Sequence, residues 1–220
     1  MSSYPGWRGL RPHDGPFYST LVFLVFVVLA LAILITSGVT AAAEPEWSGL
    51  TPEVVLDGLN GPIDIAIAPD GSVWWNEYYT GNVTRYDPED GSREVVFNAD
   101  PIENGVERGI VGLALDPDVA DNGVFYAYYT VADPNDPDGG TNRLSRIVDG
   151  KEDVLLTVPA HILHNGGRIL FAPDGTMFVS TGDNDRGMPA QDPANHLGKI
   201  LHLHPDGTPA EDNIEGHVYS

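Results

Sequence analysis

The chain has 220 residues, no cysteine, and 32 Asp and Glu against 11 Lys and Arg, a formal net charge of −21. Disulfides, thiolate metal centres and cysteine nucleophiles are thereby excluded. So acidic a balance also argues against nucleic-acid binding, which needs a basic footprint. The acids are spread through turns and loops, as on a solvated surface, and do not form a tail.

Residues 1–16 form a short N-terminal tail carrying Arg8 and Arg11. From Phe17 to Ala43 there is no charged residue, and Leu21 to Ile35 is apolar throughout. This reads as a hydrophobic helix over 17–43, either a signal peptide ending near Ala41-Ala42-Ala43 or a retained membrane anchor. The arginines stay cytoplasmic and the remainder is exported, so the expected location is extracytoplasmic, membrane-anchored or secreted. Residues 44–52 make a linker.

From residue 53 the pattern is all β. Ile63 to Ala68, a Pro69-Asp70-Gly71 turn and Val73 to Glu77 form a hairpin. Asn82 to Tyr86 and Glu94 to Phe97 add two strands. The same grammar returns at Gly109 to Pro117, Val124 to Thr130, Arg143 to Val148 and Asp153 to Val158. It returns again at Arg168 to Pro173, Thr176 to Thr181 and Lys199 to His204. Turn prolines at 69, 117 and 173 recur at roughly 50-residue intervals, and four short strands per repeat is the signature of a β-propeller. A β-sandwich would not repeat the strand-then-turn motif in the same place. The expected architecture is a partial propeller of about three blades over 53–220, the N-terminal portion of a longer protein.

Within the third repeat, His164 lies about ten residues before the centre of the Pro173-Asp174-Gly175 turn and Asp183 about nine after it. Antiparallel pairing brings both to one open end, where a histidine and a carboxylate could serve as a general base and its orienter, or simply as a turn histidine and a loop cap. Glu107 precedes its own turn proline by nearly the same interval as His164, so both should face the mouth of the central channel, with Asp183 beside His164.

Several stretches resemble the soluble glucose/sorbosone (aldose sugar) dehydrogenase family, six-bladed propellers that use pyrroloquinoline quinone (PQQ) and calcium. They are Leu59 to Gly71, Glu107 to Asp118, Asn142 to Arg146, His164-Asn-Gly-Gly-Arg-Ile-Leu170, Ser180-Thr-Gly-Asp183, Leu197-Gly-Lys-Ile-Leu201 and Pro205 to Thr208. The resemblance implies that His164 is the catalytic base, taking the proton of the anomeric hydroxyl while hydride passes from C1 to PQQ. It implies that Asp183 orients this histidine and that Glu107, where relatives often carry Gln, meets substrate hydroxyls. Arg168 is given a structural role. In the family, a run like His217-Val-Tyr-Ser220 leads into a Gly-His-Arg-Asn-Pro-Gln-Gly segment bearing PQQ contacts, followed by the calcium ligands. The cofactor-binding residues are therefore expected beyond Ser220, and no metal ligand is assigned within the chain. Leu163 is apolar where some relatives have a substrate-binding carboxylate, so the sugar stays open. The expected partners are a sugar, an unspecified electron acceptor and, through the N-terminal helix, the membrane. The alternative is a non-catalytic extracytoplasmic propeller acting as a binding or scaffold module.

Other signals carry less. Asp133 to Gly140 lacks the alternation of a calcium loop and reads as an acidic, solvated turn. His202 and His204 share a strand face without further ligands and read as a surface pair. Trp74 and Trp75 read as core and interblade packing. His161 and His196 have no evident task.

Overall fold

The computed structural model describes residues 51–211 together with Gly49 and Asn213. The N-terminal tail and the helix expected over 17–43 lie outside the described residues. Among the described residues no helix is long and apolar enough to cross a membrane.

Among the described residues from Val55 to Glu211 the regular structure is almost entirely β, in three antiparallel sheets. The first runs in order through β1 (Pro62–Ile67), β2 (Val73–Glu77), β3 (Asn82–Tyr86) and β4 (Arg93–Asn98). The second comprises β5 (Ile110–Leu115), β6 (Phe125–Asp133), β7 (Asp136–Val148) and β8 (Lys151–His161), with a one-turn helix α1 (Val119–Asn122) between β5 and β6. The third holds β9 (Gly166–Phe171), β10 (Met177–Thr181) and β11 (Ile200–Leu203). Each sheet is a meander, and its first strand lies beside that of the next: β5 neighbours both β1 and β9. This is the arrangement of three consecutive propeller blades. The inner strands approach closely, for a Cβ added at Gly112 of β5 would sit 2.0 Å from the Gly167 carbonyl oxygen of β9.

The repeated Pro-Asp-Gly-Ser/Thr turns are built alike. In each, the aspartate Oδ1 accepts from both the backbone amide and the hydroxyl of the residue two positions on: Asp70 from Ser72 at 2.9 and 2.6 Å, Asp174 from Thr176 at 3.0 and 2.6 Å, Asp206 from Thr208 at 2.9 and 2.6 Å. Such side-chain turns compete with continued extension and reverse the chain. These bonds favour the ionised carboxyl and hold all three below the usual carboxylate range. The third copy follows β11, not an innermost strand, and the connection after Pro117 opens into α1 instead of a tight turn.

Strand β6 is buried on both faces from Phe125 to Thr130, which is why its run of aromatics fits. Phe125, Ala127 and Tyr129 enter the core shared with the first sheet, where Phe125 meets Trp74 at 5.3 Å between ring centroids. Tyr126 and Tyr128 point the other way, into a core with Ile169, Met177, Val179 and Leu201 of the third sheet. Each fully buried side chain of this size contributes on the order of 1.5–3 kcal/mol.

Two expectations are corrected. Strand β7 begins at Asp136, not Arg143, so only Asp133 to Asp136 forms the acidic hairpin tip. Gly139 and Gly140 pair with His161 and Ala160 of β8, and this tertiary pairing overrides their poor strand propensity. His202 is no surface residue. It is buried, stacked on Phe178 at 4.2 Å between centroids, with Nε2 2.9 Å from the Thr176 hydroxyl. His204, past the strand end, turns to Glu211 at 3.1 Å.

Candidate active site

Thr181 of β10 pairs with Gly166 of β9, so the residues just beyond this pair emerge together at the open end of the hairpin. There His164 Nδ1 lies 2.9 Å from Asp183 Oδ1. The same carboxylate accepts from the amides of Asp185 at 3.0 Å and Gly187 at 3.2 Å, which fixes its orientation. A carboxylate so placed takes Nδ1–H as a donor and leaves the lone pair on Nε2. That nitrogen has no partner among the described residues, and the imidazole is 51% exposed. The hydrogen bond to Asp183 raises the His164 pKa above its ordinary value, against an opposing desolvation, with the charges of Asp183, Asp185 and Glu107 adding to the rise. Asp183 is lowered, chiefly by the bond to His164.

Glu107 arrives from the loop before β5. Its Oε2 accepts from the His164 backbone amide at 2.6 Å, while the Glu107 amide donates to the Ile162 carbonyl at 3.2 Å. The loops entering the second and third sheets are thus stitched together, with one oxygen of the carboxylate engaged. The structure brings His164, Asp183 and Glu107 into one place. His164 adopts a left-handed backbone conformation, φ 55°, which non-glycine residues seldom take and which turns its amide towards Glu107.

Several supporting residues escaped the sequence reading. Asn165 is 2% exposed and clamps the loop from behind, its Nδ2 donating to the His161 carbonyl at 2.6 Å and its Oδ1 accepting from the His161 amide at 3.1 Å. Arg108, buried, binds the Glu103 carboxylate at 3.0 Å and the Gly139 carbonyl at 3.1 Å, which anchors the segment carrying Glu107. Lys199 donates to the carbonyls of Pro189, Ala190 and Leu197 at 3.0, 3.1 and 2.8 Å, drawing in the loop that follows Asp183. His196 lies in that loop, and burial pushes its pKa down. Arg168 reaches from β9 to Asp64 of β1 at 2.8 Å, in keeping with a structural part. Asp64 is 8% exposed and also accepts from the Leu113 amide of β5 at 3.2 Å, so one carboxylate touches all three inner strands. The available signal was that Asp64, Arg108, Asn165 and Lys199 all stand inside the quoted motifs, as Arg168 does.

The site can therefore accept a proton at Nε2 of an imidazole held in one tautomer, where the loops before β5 and β9 meet the loop after β10. Residues 59–217 match the family model described as Glucose / Sorbosone dehydrogenase. The chain is 27% identical over 215 residues to quinoprotein glucose dehydrogenase B of Acinetobacter calcoaceticus, an alignment covering 81% of this chain and 45% of that protein. Among solved structures, it resembles the PQQ-bound form of aldose sugar dehydrogenase from Streptomyces coelicolor with TM-score 0.68 and 31% identity, covering 76% of this chain and 52% of that one. It also resembles a putative oxidoreductase (glucose dehydrogenase) from Thermus thermophilus with TM-score 0.65 and 36% identity, covering 73% and 48%. The chain spans about half the length of these relatives.

Proposed function

The chain belongs to the glucose/sorbosone dehydrogenase family, and from that premise we propose that His164, Asp183 and Glu107 form the proton-handling part of a site that oxidises an aldose at C1 to its lactone. The observation that carries this is the 2.9 Å contact between His164 Nδ1 and Asp183, with Nε2 left without a protein partner among the described residues. Oxidation at C1 removes a proton from the anomeric hydroxyl and a hydride from carbon; PQQ, when bound, supplies the acceptor for the hydride. His164 Nε2 takes the proton, and Asp183 holds the tautomer and stabilises the imidazolium as it forms. The Glu107 oxygen not engaged by the His164 amide is available to a sugar hydroxyl.

PQQ is a tricarboxylate, and the charges facing His164 are the acids Asp183, Asp185 and Glu107. These residues do not fit as its seat. On the family resemblance, the groups that hold PQQ and Ca²⁺ belong to the remaining part of a six-bladed ring. The uncharged run over 17–43 supports an exported domain, anchored or secreted.

The test is to supply the full-length protein with PQQ, Ca²⁺ and a panel of aldoses and to follow reduction of an artificial electron acceptor. Aldose-dependent dye reduction is expected. None over several aldoses would favour a non-catalytic propeller. The pH profile offers a second check. A base works when deprotonated, and a raised folded-state pKa puts the acid limb of kcat/KM above the ordinary imidazole value of about 6.5. Asp183→Asn removes the main cause of that rise, so the limb should move to lower pH while kcat falls on the order of 10²-fold as the imidazole loses its orientation. An acid limb that stays put would show that His164 is not the group being titrated.

A further inference from the structure

We infer that Asn165 is a positioning residue for His164, linking the buried strands of the second sheet to the loop that presents the imidazole; this rests on the reading of His164 as the base. Besides its two bonds to His161, Asn165 receives the Asn142 Nδ2 at 3.1 Å on its Oδ1 and extends its own Nδ2 to the Glu107 carbonyl at 3.4 Å. Asn142 in turn accepts from the Thr130 hydroxyl at 2.7 Å. Thr130, Asn142 and Asn165 are almost wholly buried, at 0%, 1% and 2% exposure. The Tyr128 hydroxyl reaches the Asn165 carbonyl at 3.4 Å, and the Gly182 amide donates to it at 3.1 Å.

A primary amide is the side chain this place demands. Two donors must meet two carbonyls and one oxygen must take two N–H groups, so the carboxamide can lie only one way round. Aspartate would set a carboxylate oxygen against the carbonyls of His161 and Glu107. Alanine would leave four polar groups without this partner, the buried Asn142 amide among them. Because Asn165 holds both His161, three residues before the imidazole, and Glu107, whose carboxylate fixes the His164 amide, its amide plane sets where Nε2 points. A displacement of about 1 Å at a reacting group costs on the order of 10² in rate.

The experiment compares Asn165→Asp, Thr130→Val and His164→Ala in the full-length protein. Asn165→Asp is expected to lower kcat on the order of 10²-fold with KM changed less than about threefold. It should also shift the His164 imidazole NMR resonances and their titration midpoint, a readout that needs neither cofactor nor sugar. Thr130→Val loosens the network one bond further away and should lower kcat by about three- to tenfold, with the same resonances moving. If Asn165→Asp does not fold, Thr130→Val decides. Unchanged kcat and unchanged His164 titration in a folded Asn165→Asp or in Thr130→Val would overturn the inference. Full activity in His164→Ala would instead sink the assignment of the base itself.

Discussion

Replacing His164 should lower turnover by roughly 10²–10⁴-fold, the usual contribution of a positioned general base. The choice of replacement matters because His164 sits at φ 55°. Alanine there adds backbone strain to the loss of the imidazole, whereas asparagine tolerates the left-handed region better than most residues. His164→Asn should therefore keep the loop, the Glu107 bond to the backbone amide and the melting temperature, and lose the chemistry. The loss should persist across the pH range, since no other group takes over the proton. Added imidazole should restore part of the rate if the cavity left by the ring is open to the mouth, as its half-exposed position indicates. Steady-state dye reduction with a parallel thermal melt decides the matter: a folded His164→Asn protein with unimpaired kcat would remove the general base from the mechanism.

Gly182→Ala is expected to damage the same site through the backbone. An added Cβ would fall 1.4 Å from the His164 carbonyl oxygen and 2.2 Å from its carbon. Neither neighbour is a flexible side chain that can swing aside. Relief requires the end of β10 to separate from the His164 loop, breaking the bond from the Gly182 amide to the Asn165 carbonyl at 3.1 Å and straining that from the Gly198 amide to the Gly182 carbonyl at 2.8 Å. Overpacking and two weakened hydrogen bonds together amount to about 2–5 kcal/mol. For a domain of this size that lowers Tm by roughly 5–15 °C. Asp183 follows Gly182 directly, so its contact with His164 should open and kcat should fall on the order of 10²-fold. Gly71→Ala is the control, because a Cβ there meets nothing within 4 Å and only the φ of +84° is unfavourable, a cost of about 1–2 kcal/mol. Equal melting temperatures for the two variants would refute the close approach at Gly182.

Much of this could be read from the chain because it is local. The Pro-Asp-Gly-Ser/Thr turns announce themselves within four residues, and the period-two strands on either side fix which residues lie opposite. The hairpin around Asp174 thus brought His164 near Asp183 on sequence spacing alone. The spacing of the turn prolines was enough to align Glu107 with His164 across neighbouring blades. What stayed hidden depends on distant parts of the chain. The glycines at 139 and 140 look like loop and become strand because β8 offers them partners. His202 looked exposed in an alternating strand, and Phe178 of the adjoining strand and Thr176 just before it enclose it. Asn165 and Lys199 are polar residues whose worth lies in carbonyls that only the folded backbone gathers around them.

Asp64 bears on how such a chain comes together. Its carboxylate meets the Leu113 amide in the neighbouring blade and Arg168 in the blade after that, 104 positions further along. In arrays of repeats, stability commonly sums over adjacent units alone. Here a coupling skips one unit, so the first blade cannot reach its final electrostatic state as it leaves the ribosome. Its pairing with Arg168 must wait until the third blade has been synthesised. Maturation is accordingly drawn towards a concerted closing of the hub, and shortening the chain before residue 168 should weaken its beginning as well as its end.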